Sequence, residues 1–192
     1  GYGAFLNCEK ITKIEIPKSL KTSEYYSWNK DGVFTGCTGL KAVTFEDGIT
    51  KIPDNLFYNC TSIERIDIPE TVTGIGSYAF ALCSGLKEVG LADGVTELGE
   101  NVFSGCSSIT EITLPEKLES IGQGTFSECT NLKKITLPEE VVNLGRYAFS
   151  GCSKLSEVKL SKNLQKIGYG AFLNCEKITK IEIPKSLKTS EY

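Results

Sequence analysis

The 192-residue sequence has no histidine, no methionine and one tryptophan, and its charged side chains are nearly balanced, 21 basic against 24 acidic. Each shortage excludes something. Without histidine the chain lacks the commonest general base and the commonest metal ligand. Without methionine or a signal-type leader, it reads as a mature segment or an excised fragment. A net charge of −3 gives no polybasic footprint, so neither nucleic acid nor anionic lipid is an expected partner. No apolar run approaches the roughly 18 residues of a membrane span, and no membrane insertion is expected.

Enzyme signatures are missing too. There is no G-x-x-x-x-G-K-[ST], no G-x-S-x-G and no H-E-x-x-H. Gly122-Gln-Gly124 looks locally like a phosphate loop, but no long helical pattern follows it. Glu139 and Glu140 have no apolar pocket in view that would raise a carboxyl pKa. No catalysis, cofactor or metal is expected.

What the chain does have is a beat. Its eight cysteines are Cys8, Cys37, Cys60, Cys83, Cys106, Cys129, Cys152 and Cys175; the first gap is 29 residues and every later gap is 23. A fixed period of this size marks a solenoid. Three residues before each Cys stands Phe: Phe5, Phe34, Phe57, Phe80, Phe103, Phe126, Phe149 and Phe172. Three after it stands Leu or Ile, and further apolar positions follow at six, eight, twelve and fifteen, the last usually trailed by Gly, as in Ile75-Gly76 and Leu144-Gly145.

Leu132-Lys-Lys-Ile135-Thr-Leu137 has the L-x-x-L-x-L spacing of a leucine-rich-repeat strand, with one buried face. Pro17, Pro69, Pro115, Pro138 and Pro184 end that strand, because proline cannot donate to a ladder. The Ala-Phe-x-x-Cys piece is too short for a full helix and is expected to form a helical or 3-10 turn on the opposite flank. One coil cannot bury its own apolar face, but stacked coils can, at about 4.8 Å per strand.

The stretch Ile75-Gly-Ser-Tyr-Ala-Phe80-Ala-Leu-Cys83-Ser-Gly-Leu86-Lys-Glu-Val89 resembles the BspA-like (Treponema pallidum-type) leucine-rich repeat of bacterial and protozoan surface proteins. The resemblance runs through eight copies and essentially the whole chain. It implies a right-handed solenoid, mainly β, with one parallel sheet along its concave side. It also implies an extracellular, cell-surface setting, adhesion to host matrix proteins and coaggregation between cells.

The cysteines are expected as a structural ladder of buried free thiols, acting as small apolar residues beside the Phe ladder. Equivalent positions in adjacent coils point the same way, whereas a disulfide needs converging Cβ atoms about 3.8 Å apart. A metal site needs C-x-x-C pairs or nearby His. Native alkylation should therefore find none of the eight thiols. Asn59-Cys-Thr61 matches a glycosylation sequon, but its middle residue belongs to the buried ladder.

Candidate protein-binding residues lie five and seven positions after Cys, on the exposed side of the strand. They are Lys13, Glu15, Arg65, Asp67, Glu88, Glu111, Lys134, Glu157, Lys159, Lys180 and Glu182. Their signs are mixed, and of the residue types that favour hot spots only Arg65 is among them. A plain solvated face laced with ion pairs is the competing reading. A second candidate is the insert at residues 21–32, which lengthens one coil by six residues and holds Tyr25, Tyr26 and the only Trp, Trp28. Insertions in repeats often map to binding loops. Here Trp28 or Tyr26 is expected to plug the core slot left by a missing Ile, with another aromatic left exposed.

Residues 1–25 are identical to residues 168–192, an offset of 167. The 23-residue beat is thus nested in a longer period, which points to recent tandem duplication or to design. Residues 1–192 read as one repeat domain cut from a longer array, with Tyr-Ser-Trp expected to follow Tyr192. Neither end shows a polar capping repeat, so end-to-end self-association is expected. Two functions remain from the sequence. One is a cell-surface adhesion module that binds a protein ligand, from the host matrix or another cell surface. The other is a structural spacer or self-associating array.

Overall fold

The computed structural model describes residues 3–20 and 31–188, and they form a solenoid of stacked coils, each marked by one cysteine. Coils are numbered here one to eight from Cys8 to Cys175. The strand of each coil begins about five residues after the cysteine. Lys13–Ile16 pairs in parallel with Ala42–Phe45, Arg65–Asp67 with Glu88–Gly90, and Lys134–Thr136 with Glu157–Lys159. Alternation sets the faces: Ile66 and Ile135 are buried, while Arg65, Asp67, Lys134 and Thr136 are exposed. The equivalent segments of coils five and eight follow the same path without forming a regular ladder.

A second parallel ladder lies at the Ile-Gly end of each coil, where the sequence reading had placed no strand. It comprises Lys51–Ile52, Gly74–Ile75 and Glu97–Leu98, then Ser120–Ile121, Asn143–Leu144 and Lys166–Ile167. The recurrent glycine has a steric cause. A Cβ on Gly145 would stand 2.5 Å from the Gly122 carbonyl carbon and 2.6 Å from the Gln123 nitrogen. Only glycine lets the two backbones approach this closely, and the Gly145 N–H then reaches the Ile121 carbonyl at 2.7 Å.

The flank opposite the strand face departs from expectation. Among the described residues there is no α- or 3-10 helix, and the Ala-Phe-x-x-Cys segment is a chain of turns. In coil three, Asn55, Phe57 and Asn59 donate their N–H groups to the carbonyls of Ser77, Ala79 and Ala81 in the next coil. Tyr58 and Cys60 donate within the coil, to Asn55 and Phe57. Alternate amides are therefore spent between coils, and the i to i−4 bonds of a helix cannot form. This path takes positive φ one residue before Cys in every coil and five before it in every coil but the second, as at Asn59 (58°) and Asn55 (54°). The column just before Cys takes this conformation in all eight coils, even where it is Leu82 or Glu128.

The Phe ladder fills the core. Seven consecutive ring pairs, from Phe5–Phe34 to Phe149–Phe172, stack with centroids 5.3–6.0 Å apart. The five central rings, Phe57 to Phe149, are fully buried, and burying each contributes on the order of 2–3 kcal/mol. Phe5, in coil one, is 45% exposed.

All eight cysteines are free thiols, six buried and Cys8 and Cys175 half-buried. They are more than apolar filler. Each thiol from Cys37 to Cys175 donates to the carbonyl of the Phe one coil back, at 3.1–3.3 Å. Burial pushes the Cys83 and Cys129 thiols up to about 12, and Cys60 and Cys106 are also raised, chiefly by desolvation.

Candidate binding face

The exposed side of the strand ladder carries the candidate residues, because alternation turns Ile66, Val89, Ile112, Ile135 and Val158 inward and their neighbours out. Lys13, Glu15, Arg65, Asp67, Glu88, Lys134, Glu157 and Lys159 stand on regular strands. Glu111, Lys180 and Glu182 occupy the same columns in the coils that lack one. All eleven are exposed. Tyr25, Tyr26 and Trp28 lie outside the described residues.

Some of these charges are brought together. Arg65 grips Asp67 through Nε and a second nitrogen at 2.8 and 2.9 Å, and reaches across to Glu88 in the next coil at 2.6 Å. Hydrogen bonds from Asp67 first and Glu88 second raise the guanidinium pKa further. Lys134 pairs with Glu157 at 3.5 Å and Lys180 with Glu182 at 3.1 Å. Beside the columns, Lys87 meets Glu64 at 2.9 Å. At the first turn, Glu46 accepts the Lys18 N–H at 2.9 Å and pairs with its ammonium. Those contacts, the backbone bond foremost, lower the Glu46 pKa. Lys13, Glu15, Glu111 and Lys159 have no ion-pair partner among the described residues.

Two open hollows sit on this face. One, of about 710 Å³, centres on the fifth coil between Glu88, Glu111, Thr113 and Lys134. The other, of about 810 Å³, spans coils six to eight and takes in Lys134, Lys159, Lys162, Lys180 and Lys185. Lys162 and Lys185 were not among the candidates. They lie ten positions after Cys, at the turn beyond the strand, where the strand period gives no signal.

A signal of another kind was present. The net charge of −3 conceals a segregation along the solenoid axis. Residues 54–145 carry 14 acidic and 5 basic side chains, whereas residues 146–192 carry 9 basic and 4 acidic ones. The middle of the solenoid is therefore acidic and its last two coils basic.

No group of His, Cys, Asp or Glu suited to a metal ion occurs among the described residues. Among them no helix is long and apolar enough to cross a membrane. The family model for the BspA type leucine rich repeat region (6 copies) matches residues 1–107 and 86–192, so the chain belongs to that family.

Solved structures agree. A leucine rich repeat protein of T. pallidum superposes with a TM-score of 0.71 at 28% identity, over 87% of this chain and 71% of that one. A leucine rich cell surface protein of Faecalibacterium prausnitzii A2-165 gives 0.62 at 23%, over 92% and 61%. The pneumococcal vaccine antigen PcpA gives 0.55 at 20%, again over 92% and 61%. The last two likenesses are of fold. Among curated protein sequences none matches the chain.

Proposed function

We propose that this chain is a binding module of a cell-surface protein, displayed outside the cell, whose ligand is a host matrix protein or a protein of another cell surface. Contact is through the strand face or the insert at residues 21–32. The observation that carries the reading is the strand face itself: two columns of mostly polar side chains project from the stacked coils into solvent, with open hollows between them. Solenoids of stacked repeats use such extended surfaces for binding. The reading is non-enzymatic, with affinity spread over several coils.

A specific observation also favours a repeating array. The described part of the repeated sequence, residues 3–20 and again 170–187, is docked on opposite flanks in its two copies. As coil one it lies under coil two, with the Cys37 thiol on the Phe5 carbonyl at 3.1 Å. As coil eight it lies on coil seven, with the Cys175 thiol on the Phe149 carbonyl at 3.1 Å. One sequence can therefore sit between a coil seven and a coil two, so the 167-residue period can continue, as a spacer or by association of copies.

Binding of the chain to a panel of immobilised host matrix proteins, run beside sedimentation at rising concentration, separates the two. Saturable binding by a monomer supports the module. Concentration-dependent end-to-end growth without heterologous binding supports the array.

A further inference from the structure

We infer that the basic end of the strand face, in coils seven and eight, is a site for a linear anionic polysaccharide carrying sulfate or carboxylate groups. The inference rests on the strand face being a binding surface, and it assigns the ligand chemistry of one part of it.

The hollow of about 810 Å³ there is lined by Lys134, Lys159, Lys162, Lys180 and Lys185, against only two carboxylates, Glu157 and Glu182. Those carboxylates are taken up by Lys134 and Lys180. Lys159, Lys162 and Lys185 are left with no ion pair among the described residues. Glu139, outside the hollow, accepts the Lys162 backbone N–H at 2.8 Å without pairing with its ammonium. Three unpaired ammonium groups facing one open hollow make a site for negative charge.

The spacing and residue types select the kind of anion. Lys162 and Lys185 hold the same position in successive coils, about 4.8 Å apart along the axis, so the complementary charges belong on a chain running along the solenoid. Lysine is a point charge on a flexible stem, without the planar fork that suits bidentate grip on one fixed carboxylate. The hollow contains no aromatic ring and no arginine, the usual anchors of a protein hot spot. A polymer with an anionic group on successive sugars fits these features. The acidic coils 54–145 limit the tract on one side, since they repel the same polymer.

The test uses a size-defined heparin octasaccharide as probe and the whole chain as protein. The variant K159Q/K162Q/K185Q removes the three unpaired charges. K41Q/K51Q/K117Q removes as many exposed lysines elsewhere. The inference expects saturable binding that weakens with salt, lost at least about tenfold at roughly 0.15 M salt in the first variant and retained in the second. Circular dichroism and the melting midpoint establish that both variants are folded.

Absence of binding by the native chain, or equal loss in both variants, overturns the site. Equal binding of a polyglutamate of matched charge overturns the polysaccharide and points to an acidic polypeptide. The variant R65S/D67S/E88S/E111S lies outside the hollow and should keep heparin binding. Matrix-protein binding that persists while heparin fails would overturn this inference alone and leave the broader reading standing.

Discussion

The thiol of Cys83 donates a hydrogen bond to the carbonyl of Phe57, one coil back, at 3.2 Å. The same carbonyl accepts the Cys60 N–H at 3.1 Å, so the bond adds a second partner to a buried oxygen and ties one coil to the next. The contact recurs at each interface between coils and explains why the column is cysteine rather than alanine or valine.

Replacing one central thiol should therefore cost more than its volume. Cys106→Val keeps the bulk but loses the donor to Phe80, and should lower stability by about 0.5–1.5 kcal/mol. Cys106→Ala adds a void and should cost about 1–3 kcal/mol. Urea unfolding measures both. A valine variant as stable as the native chain would reduce the thiol to filler.

The same ladder predicts alkaline sensitivity. A thiol whose folded pKa is raised stays protonated in the folded state while the unfolded chain ionises. Its contribution is fully present below the ordinary value of 9.0 and is lost as pH rises toward about 12, the value for Cys83 and Cys129. Each such thiol should steepen the fall in stability by about 1.4 kcal/mol per pH unit within that window. Urea midpoints from pH 8 upward should decline, and the decline should be shallower in Cys83→Val. A flat profile across the window contradicts the burial.

Thiol reactivity should divide six to two. Native iodoacetamide should spare the six buried cysteines and label the half-buried Cys8 and Cys175. This revises the expectation that all eight are protected. Mass spectrometry of the labelled peptides checks it, and labelling of Cys106 without denaturant would count against the stack.

Backbone strain offers a test of the turn flank. Leu82 holds φ at 61° with its side chain 42% exposed, in a column where six of the other seven coils place Asn or Gly. Leu82→Asn should raise stability by about 0.5–1 kcal/mol, since asparagine tolerates the left-handed region. Gly151→Ala, at φ 76° with Glu128 packed over it, should lower stability by about 1–2 kcal/mol. Opposite signs in thermal melts support the assigned path.

Much of the fold was legible because three side chains, Phe, Cys and Leu or Ile, recur at fixed offsets and nothing but stacking buries them together. The second ladder was not legible: it uses two residues per coil, too few for alternation to register. The helical turn expected at Ala-Phe-x-x-Cys failed because Phe57 and Asn59 send their amides to the next coil, a choice that local sequence does not encode. Positive φ escaped notice where Tyr78, Leu82 and Glu128 stand in for Asn or Gly. On the strand face the columns were legible from the period of two. The basic hollow was not, since Lys162 and Lys185 lie beyond the strand and a near-neutral total masked the charge segregation.

Exposed ion pairs contribute little to stability, so the Arg65–Glu88 contact should matter for recognition more than for folding. Arg65→Ser should leave the melting midpoint nearly unchanged. A large drop would mean that the pair holds coils three and four together.

The claim that the strand face binds a protein partner is tested most directly by one affinity comparison. Once a matrix or cell-surface protein is found to bind saturably, its affinity is measured for the native chain and for R65S/D67S/E88S/E111S, at physiological salt. The account predicts a loss of at least about tenfold in the variant, with the melting midpoint retained. Unchanged affinity would contradict it and move the site to the insert or to another flank of the solenoid.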